Sequence, residues 1–468
     1  MNDRLQPAGG SWYHFRMTEQ TRVAVIGAGI TGLCAAHELV KRFGAGSVMV
    51  IDAADRPGGY AHTERAEGFL CDSGPNGYLP REPRLTQWVE ELGLGDERVR
   101  ANEAAAHRFI LKDGRLVEIV GPPRFFVSPL LSVGGRARLL AEPLIRAKRN
   151  GEPESIWDFA ARRIGPEAAD TLVSAMVLGV FGGDAHRLSL EHCFPRMAAM
   201  EREHGGLFRA MLAMRGGAGG PMGSGGVLTT FRGGIGALAE RAAERLGHSL
   251  RLGNKATAVE RSGSAWRVCL QDGNEIESEF VVVATPAHVT AELMAGLDAE
   301  LSRACATIAH APIAVVCTAY RREDVSHDMN GFGFLAPPNQ AQRLLGCIWT
   351  SSVFPQSAPE GWVFLRSMIG GDIHPEDAAL PDAALLGHVA REVHPLLGIT
   401  RTPEFVRIYR HRHGIPQYRL DHGDVLRALE AAEARHPGLA IAGNAYRGVS
   451  LNDCVASAHR AVQMIAPA

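Results

Sequence analysis

Residues 23–32 of the chain read VAVIGAGITG, and a second apolar run further along ends on Asp52. The pattern predicts a buried strand, a glycine turn, a helix and a second strand that ends on an acid. Gly27 allows the tight turn, Gly29 lets backbone approach a pyrophosphate, and Gly32 lets the helix pack closely on the strand. Asp52 follows Gly32 by twenty positions, where a carboxylate can accept hydrogen bonds from a ribose. The run therefore predicts a dinucleotide site with the phosphates at the helix N-terminus.

The composition is that of a globular protein with several domains. The chain has 468 residues, of which 46% are hydrophobic and 21% charged, which is typical of two or three soluble domains. The net charge of −2 gives no reason to expect nucleic acid as a partner. The 8 cysteines are scattered without the spacing of a zinc site or a redox dithiol, so we predict no metal site and a reducing compartment.

Two features bear on the membrane. No apolar run reaches the roughly 18 residues needed to span a bilayer, and residues 1–20 lack the apolar core of a signal peptide. Residues 135–149 combine apolar positions with a basic cluster, which suits either an anionic membrane surface or a solvated helix. We expect a cytoplasmic protein, and peripheral contact with the cytoplasmic face of a membrane stays open.

The order of elements predicts a dinucleotide domain that is interrupted twice. After a helical region, a three-strand ribbon, a buried strand near residue 281 and a last strand near residue 440 resume the pattern of the first βαβ unit. The predicted organisation is an N-terminal extension (1–20), a dinucleotide domain (21–85, 228–290 and 435–468), a substrate domain (86–128 and 291–434) and a helical insertion with a glycine-rich loop (129–227).

Three further segments favour FAD over NAD. Residues 55–59 (DRPGG) contain a glycine doublet just past the ribose acid, and residues 69–77 (FLCDSGPNG) form a strand that enters a Gly-Pro loop. Residues 443–453 (GNAYRGVSLND) lead from a buried strand to a helix N-terminus, whose N–H groups can face N1 and O2 of a flavin. This element, at the far end of the chain, fits an extended FAD that crosses the domain.

At these residues the chain resembles the amine oxidase-like flavoprotein superfamily and, within it, the protoporphyrinogen oxidase family. The resemblance implies α/β plus α+β architecture, with a Rossmann-type FAD-binding domain, an inserted mixed-sheet substrate domain and a helical, membrane-facing insertion. It extends over nearly the whole chain from Thr21, and the segments that carry it are 108–116, 157–167, 178–190, 415–418 and 443–453. The FAD contacts it implies are Gly27, Ala28, Gly29, Ile30, Thr31, Gly32, Asp52, Gly59, Tyr60, Gly74, Pro75, Asn76, Gly77, Ala256, Val449, Ser450 and Leu451.

The resemblance also implies a substrate site. Arg108 would hold a propionate of the substrate, and the backbone carbonyl of Gly179 would face the macrocycle. Leu335, Ile348 and Met368 would sandwich the pyrrole rings. Each residue also has a purely structural interpretation. For Arg108 it is a surface arginine, for Gly179 a helix terminus, and for the three apolar residues ordinary core.

The implied reaction is the oxidation of protoporphyrinogen IX to protoporphyrin IX. A hydride would leave a methylene carbon for flavin N5, and molecular oxygen would reoxidise the flavin and give hydrogen peroxide. We predict no catalytic base, although His310, His411 and His413 are candidates for testing. Oxidation of coproporphyrinogen III, a flavin amine oxidase and a flavin-holding chaperone remain as alternatives, and a homodimer stays open. Many amine oxidases carry a lysine beside the flavin, whereas here no lysine follows Lys255.

Overall fold

The computed structural model describes residues 17–121, 124–148, 151–213 and 226–466, without the side chains at 125 and 126. The strands are β1 Thr18–Ile26, β2 Val48–Ile51, β3 Thr63–Ala66, β4 Phe69–Asp72, β5 Arg98–Arg100, β6 Phe109–Lys112, β7 Arg115–Glu118, β8 Thr229–Phe231, β9 Leu250–Arg251, β10 Ala256–Ser262, β11 Ala265–Leu270, β12 Glu275–Val283, β13 His310–Arg321, β14 Gly333–Leu335, β15 Leu344–Ile348, β16 Trp362–Gly370, β17 Phe405–Pro416 and β18 Leu439–Ile441.

Helices follow or separate most of these strands. They are α1 Ile30–Phe43, α2 Pro83–Glu91, α3 Val133–Leu140, α4 Ile156–Ile164, α5 Pro166–Ala168, α6 Ser174–Phe181, α7 Leu190–Cys193, α8 Pro195–His204, α9 Leu207–Ala213, α10 Ala237–Leu246, α11 Ala287–Met294, α12 Ala299–Ala306, α13 Thr350–Val353, α14 Asp382–Glu392, α15 His394–Leu397, α16 His422–Arg435 and α17 Leu451–Ile465. Within the described ranges, none of them is both long enough and apolar enough to cross a bilayer.

The first sheet is assembled from three distant parts of the chain. Its strand order is β10-β11-β12-β1-β2-β9. The short strand β18 pairs with residues 281–283 of β12, past the part of β12 that pairs with β11. β1 pairs in parallel with both β2 and β12, and β12 pairs in parallel with β18. The last four residues of β1 are fully buried, as expected for a parallel strand covered on both faces. α1, α10 and α17 cover one face, and α11, α12 and α16 cover the other.

The second sheet is mixed. Its order is β17-β13-β16-β15-β14-β6-β7, in which only β14 and β6 pair in parallel among the described strands. The predicted hairpin of β6 and β7 is present, and Asp113 and Gly114 both have positive φ at its turn. Residues of α4 and of α6 to α9 form a separate apolar core around Ile156, Phe159 and Phe181.

The structure differs from the sequence prediction at two segments. Residues 18–20 extend β1 by pairing with the start of β12, although we predicted an extension up to residue 20. The basic segment 135–149 is helical only to Leu140, and a short turn over 142–144 follows. The glycine-rich loop falls mostly outside the described residues. The domain boundaries themselves stay a prediction.

Candidate cofactor and substrate cavity

The glycine turn after β1 has the geometry that its sequence predicts. Gly27 has φ +106°, and a Cβ there would lie 2.7 Å from the Ala284 carbonyl oxygen. A Cβ on Gly32 would lie 1.8 Å from the Gly27 carbonyl oxygen, so helix and turn touch backbone to backbone. Gly29 precedes α1, and apart from Gly29 itself and its two chain neighbours no atom of the described residues lies within 4 Å of the position its Cβ would take. That open space is the room a phosphate needs beside the helix N-terminus.

Asp52 closes the second strand beside this turn. One carboxylate oxygen, Oδ2, accepts the backbone N–H of Ala28, and Oδ1 accepts that of Ala54 at 2.8 Å. The carboxylate also lines the cavity, and each oxygen keeps lone pairs for a further donor. This arrangement fixes the acid at the place where a ribose diol is expected.

A second glycine pair lies against the first. Gly58 forms a parallel bridge with Gly29, and its N–H donates to the Ala28 carbonyl at 2.8 Å. A Cβ on Gly74 would lie 2.1 Å from the Tyr60 carbonyl oxygen, so the loop at residue 74 packs directly against the backbone of residue 60. These contacts bring three predicted cofactor segments, around residues 29, 59 and 74, to one edge of the first sheet.

One cavity of about 790 Å³ joins these segments to the second sheet. It contains most of the residues predicted from the sequence, from both the cofactor and the substrate group. Those that line it are Gly27, Gly29, Ile30, Thr31, Asp52, Gly59, Tyr60, Gly74, Pro75, Asn76, Gly77, Gly179, Ala256, Ile348, Met368, Val449, Ser450 and Leu451. The predicted residues outside the lining are Ala28, Gly32, Arg108 and Leu335.

The four residues outside the lining have other contacts. Ala28 is fully buried and acts through its N–H on Asp52, and Gly32 packs against Gly27. Leu335 lies behind Gly179, because a Cβ on that glycine would meet Leu335 Cδ2 at 2.8 Å. The Arg108 guanidinium lies 5.2 Å from the centre of the Phe332 ring. Its role as a carboxylate anchor stays a prediction.

The sequence prediction missed a buried cation in the cavity. Arg366 lies on β16 with only 5% of its surface exposed, and it lines the cavity together with Met368. Its Nη2 donates to the Gly74 carbonyl, and Nε has no partner within the described part of the chain. Burial raises the pKa of the nearby Asp72 carboxyl, and the charge of Arg366 opposes that rise. A single arginine within the apolar run 362–370 was the signal available in the sequence.

Hydrogen bonds tie the glycine loops to the second sheet. His411 Nε2 lies 2.6 Å from the Ser73 carbonyl oxygen and donates to it. The Tyr60 hydroxyl donates to the backbone carbonyl of His413, which lies two residues further along β17. Burial lowers the pKa of His411, so the ring is neutral at pH 7 and serves as a donor through one nitrogen. The cavity wall is thus continuous from β4 to β17.

The unpartnered polar groups around the cavity fit a flavin dinucleotide. Asn76 Nδ2 and Asn452 Oδ1 are buried, line the cavity, and have no partner among the residues the structure describes. α17 begins beside them, where Ser450 and Asp453 form a reciprocal capping box. The helix therefore starts at a fixed place, with its positive end beside the cavity and close to these two unpartnered amide atoms. The residues present can hold FAD.

Fold and cavity together define a dinucleotide-dependent protein with a second, mixed sheet over its cofactor site. The chain belongs to the flavin containing amine oxidoreductase family, whose family model matches residues 30–466. This confirms the predicted superfamily, and the cofactor is FAD.

Named relatives extend over almost the whole chain. It is 30% identical over 471 residues to the chloroplastic protoporphyrinogen oxidase of Oryza sativa subsp. japonica, with 94% of this chain and 87% of the rice protein covered. It is 27% identical to the coproporphyrinogen III oxidase of Bacillus subtilis, with 94% and 97% covered. A crystal structure from Exiguobacterium sp. 255-15, provisionally named a protoporphyrinogen oxidase, aligns with a TM-score of 0.83 at 26% identity and covers 95% of this chain and 98% of its own.

Proposed function

We propose that the chain oxidises a porphyrinogen with bound FAD, as a step of heme biosynthesis, and that protoporphyrinogen IX is its substrate. The observation that carries the proposal is a single cavity that continues from the glycine loops onto the apolar face of the second sheet. Such a cavity suits a dinucleotide at one end and a flat, apolar macrocycle at the other. The names of the rice and Bacillus subtilis relatives support the substrate class.

The side chains of the second sheet would position the macrocycle. Ile313, Val315, Ile348 and Met368 line the cavity and offer an apolar surface to a macrocycle. Tight positioning is a large part of catalysis when the substrate needs no nucleophile. The bound flavin supplies the two-electron oxidation, and we propose molecular oxygen as the final acceptor, with hydrogen peroxide as its product. We assign no side chain as a catalytic base.

Coproporphyrinogen III is the second candidate substrate, and Arg366 is the observation that favours it. A buried guanidinium that has no ion pair with a carboxylate among the described residues can bind one from a ligand, and coproporphyrinogen III carries more propionates than protoporphyrinogen IX. The Bacillus subtilis relative carries the name of this activity. The two substrates therefore belong in the same assay.

The test is a parallel assay of the purified, FAD-loaded protein. Protoporphyrinogen IX and coproporphyrinogen III are supplied separately in air, and porphyrin fluorescence and hydrogen peroxide are recorded together. We expect porphyrin from at least one substrate, with about three equivalents of peroxide per porphyrin because each turnover removes two electrons. Oxidation of an amine such as putrescine without oxidation of either porphyrinogen would assign an amine oxidase instead. Bound FAD without any turnover would favour a flavin-holding chaperone.

We also propose peripheral contact with an anionic membrane through α3 and the turns beside it. Val127, Val133 and Leu144 expose 79%, 78% and 82% of their surface, which is unusual for three apolar residues so close in sequence. Basic residues at 124, 136, 146 and 148 accompany them. Exposed apolar side chains among basic ones are typical of a surface that lies in the headgroup region.

A further inference from the structure

Three histidines from separate elements meet beside the cavity. His288 lies on α11, His310 begins β13, and His413 lies near the end of β17. One ring nitrogen of each lies within 4.8 Å of a ring nitrogen of the other two. The sequence prediction of no metal site relied on local ligand spacing, whereas these residues come together only when α11 packs against the second sheet.

The three rings are held by contacts with one another and with backbone, and one buried ring nitrogen has no hydrogen-bond partner among the described residues. His310 Nδ1 donates to the Ile308 carbonyl oxygen at 3.1 Å, so the lone pair belongs to Nε2. His288 Nδ1 is buried and has no hydrogen-bond partner within the described residues. The His288 and His413 rings are stacked with centroids 3.9 Å apart, and His310 stands edge-on to both. His413 is exposed, which gives an ion a path from solvent.

The chemistry of the three side chains decides which ions they could hold. All three are imidazoles, and among the described residues no carboxylate or thiol belongs to this cluster. A ligand set of imidazoles suits zinc, nickel, copper or cobalt rather than calcium or magnesium.

We propose that His288, His310 and His413 form a binding site for a divalent transition-metal ion, with Zn²⁺ as the ion to test first. Zinc binds imidazole nitrogen at about 2.0–2.1 Å in a tetrahedron, so the rings must close by roughly 1 Å. Because the His288 and His413 rings are stacked, their lone pairs do not converge, so the exposed His413 ring has to turn for its nitrogen to bind the same ion. The ion would join α11 of the first sheet to β13 and β17 of the second.

This site adjoins the cavity wall. Pro286 and Val289, which flank His288, and Gly414, which follows His413, line the cavity. An ion at the cluster would therefore restrain the junction of the two sheets. Because it stabilises only the folded protein, it should raise the melting temperature of the FAD-loaded form.

The experiment is a Zn²⁺ titration of the FAD-loaded, chelator-treated protein against a chromophoric chelator, with thermal unfolding in parallel. We expect about one equivalent of Zn²⁺ per chain and a rise in melting temperature on binding. His413→Ala and His310→Phe should each weaken binding by about a hundredfold or more, because a tetrahedral site needs three protein ligands. His413→Ala alters an exposed ring, so it provides the result if His310→Phe fails to fold.

His374→Ala is the matched control, because His374 belongs to another cluster of possible ligands with Glu376 and Asp377. There the Arg343 guanidinium already lies 3.3 Å from Asp377 and 2.6 Å from His374 Nδ1. We expect this variant to bind Zn²⁺ like the unaltered protein. The proposal is wrong if the unaltered protein shows no saturable binding. It is also wrong if both variants keep their affinity, or if His374→Ala alone abolishes binding.

Discussion

Gly29 and Gly32 lie on the same turn but face different surroundings. The position of a Cβ on Gly29 is open toward the cavity, whereas that of a Cβ on Gly32 lies 1.8 Å from backbone. We predict that Gly29→Val folds normally and loses FAD, because its side chain occupies the phosphate space. Gly32→Val should instead lower the melting temperature or prevent folding. Circular dichroism and the FAD-to-protein absorbance ratio measure both effects. Retention of stoichiometric FAD in folded Gly29→Val would contradict this interpretation of the turn.

Arg366 is the residue most directly open to a kinetic test. We predict that Arg366→Gln lowers kcat/KM for the preferred porphyrinogen by about 10- to 100-fold, mainly through KM, because a charged hydrogen bond contributes roughly 1.5–3 kcal/mol. The loss should be greater for coproporphyrinogen III. Unchanged KM in a variant that keeps its FAD would remove Arg366 from the substrate site.

Arg108 is the comparison for that variant. The family resemblance predicts that Arg108→Ala raises KM more than it lowers kcat. The guanidinium lies over Phe332, outside the cavity lining. Measured together, the two variants show which arginine holds a substrate carboxylate.

Among the elements, α16 begins with a buried histidine whose hydrogen bond to Tyr446 should make the stability of the folded protein depend on pH. His422 Nε2 donates to the Tyr446 carbonyl at 2.7 Å, and its ring stacks on Tyr418. Burial lowers the pKa of His422 to about 4, against an ordinary value of 6.5. The folded chain therefore binds fewer protons than the unfolded chain between these values. The contribution to stability is complete above pH 6.5 and is lost as pH falls toward 4.

We predict that the free energy of unfolding depends more steeply on pH in the unaltered protein than in His422→Asn. Between pH 6 and pH 4.5, the free energy of unfolding should fall more steeply with acid for the unaltered protein, by about 1.4 kcal/mol per pH unit. Urea unfolding of the FAD-loaded proteins over this range measures it. Equal slopes would show that His422 is not held neutral.

Elements were easier to predict than the contacts between them. The glycine turn, the β6–β7 hairpin and the start of α17 depend on short runs of sequence, and they were predicted correctly within a few residues. Arg366 meets Gly74 across 292 positions, and the three histidines meet across the junction of two sheets. Such contacts depend on how the sheets pack, which local periodicity does not encode. Leu335 shows the same limit, since its apolar character did not reveal whether it faces the cavity or Gly179.

For the whole molecule, the exposed apolar residues beside α3 predict that this part of the protein surface contacts a membrane. We expect the protein to sediment with vesicles that contain anionic lipid, and less with zwitterionic ones, because basic residues lie close in sequence to the exposed apolar ones. Val133→Ser with Leu144→Ser should reduce the bound fraction several-fold, because both side chains are mostly exposed and their loss leaves the core unchanged. A double variant at the exposed Leu212 and Met464 is the control. Equal binding of all three proteins would contradict the assignment of this surface.

The proposed function depends on one cavity that brings a flavin and a porphyrinogen together. The most direct measurement is rapid mixing of the FAD-loaded protein with protoporphyrinogen IX without oxygen, followed by absorbance of the flavin and of porphyrin products. We predict that flavin absorbance decreases within the assay time, because each FAD takes up two of the roughly six electrons that separate the porphyrinogen from the porphyrin. Full porphyrin absorbance should follow only after oxygen is admitted. Coproporphyrinogen III is measured in the same way. If the flavin stays oxidised with both substrates while a chemical reductant bleaches it, the cavity does not serve porphyrinogen oxidation.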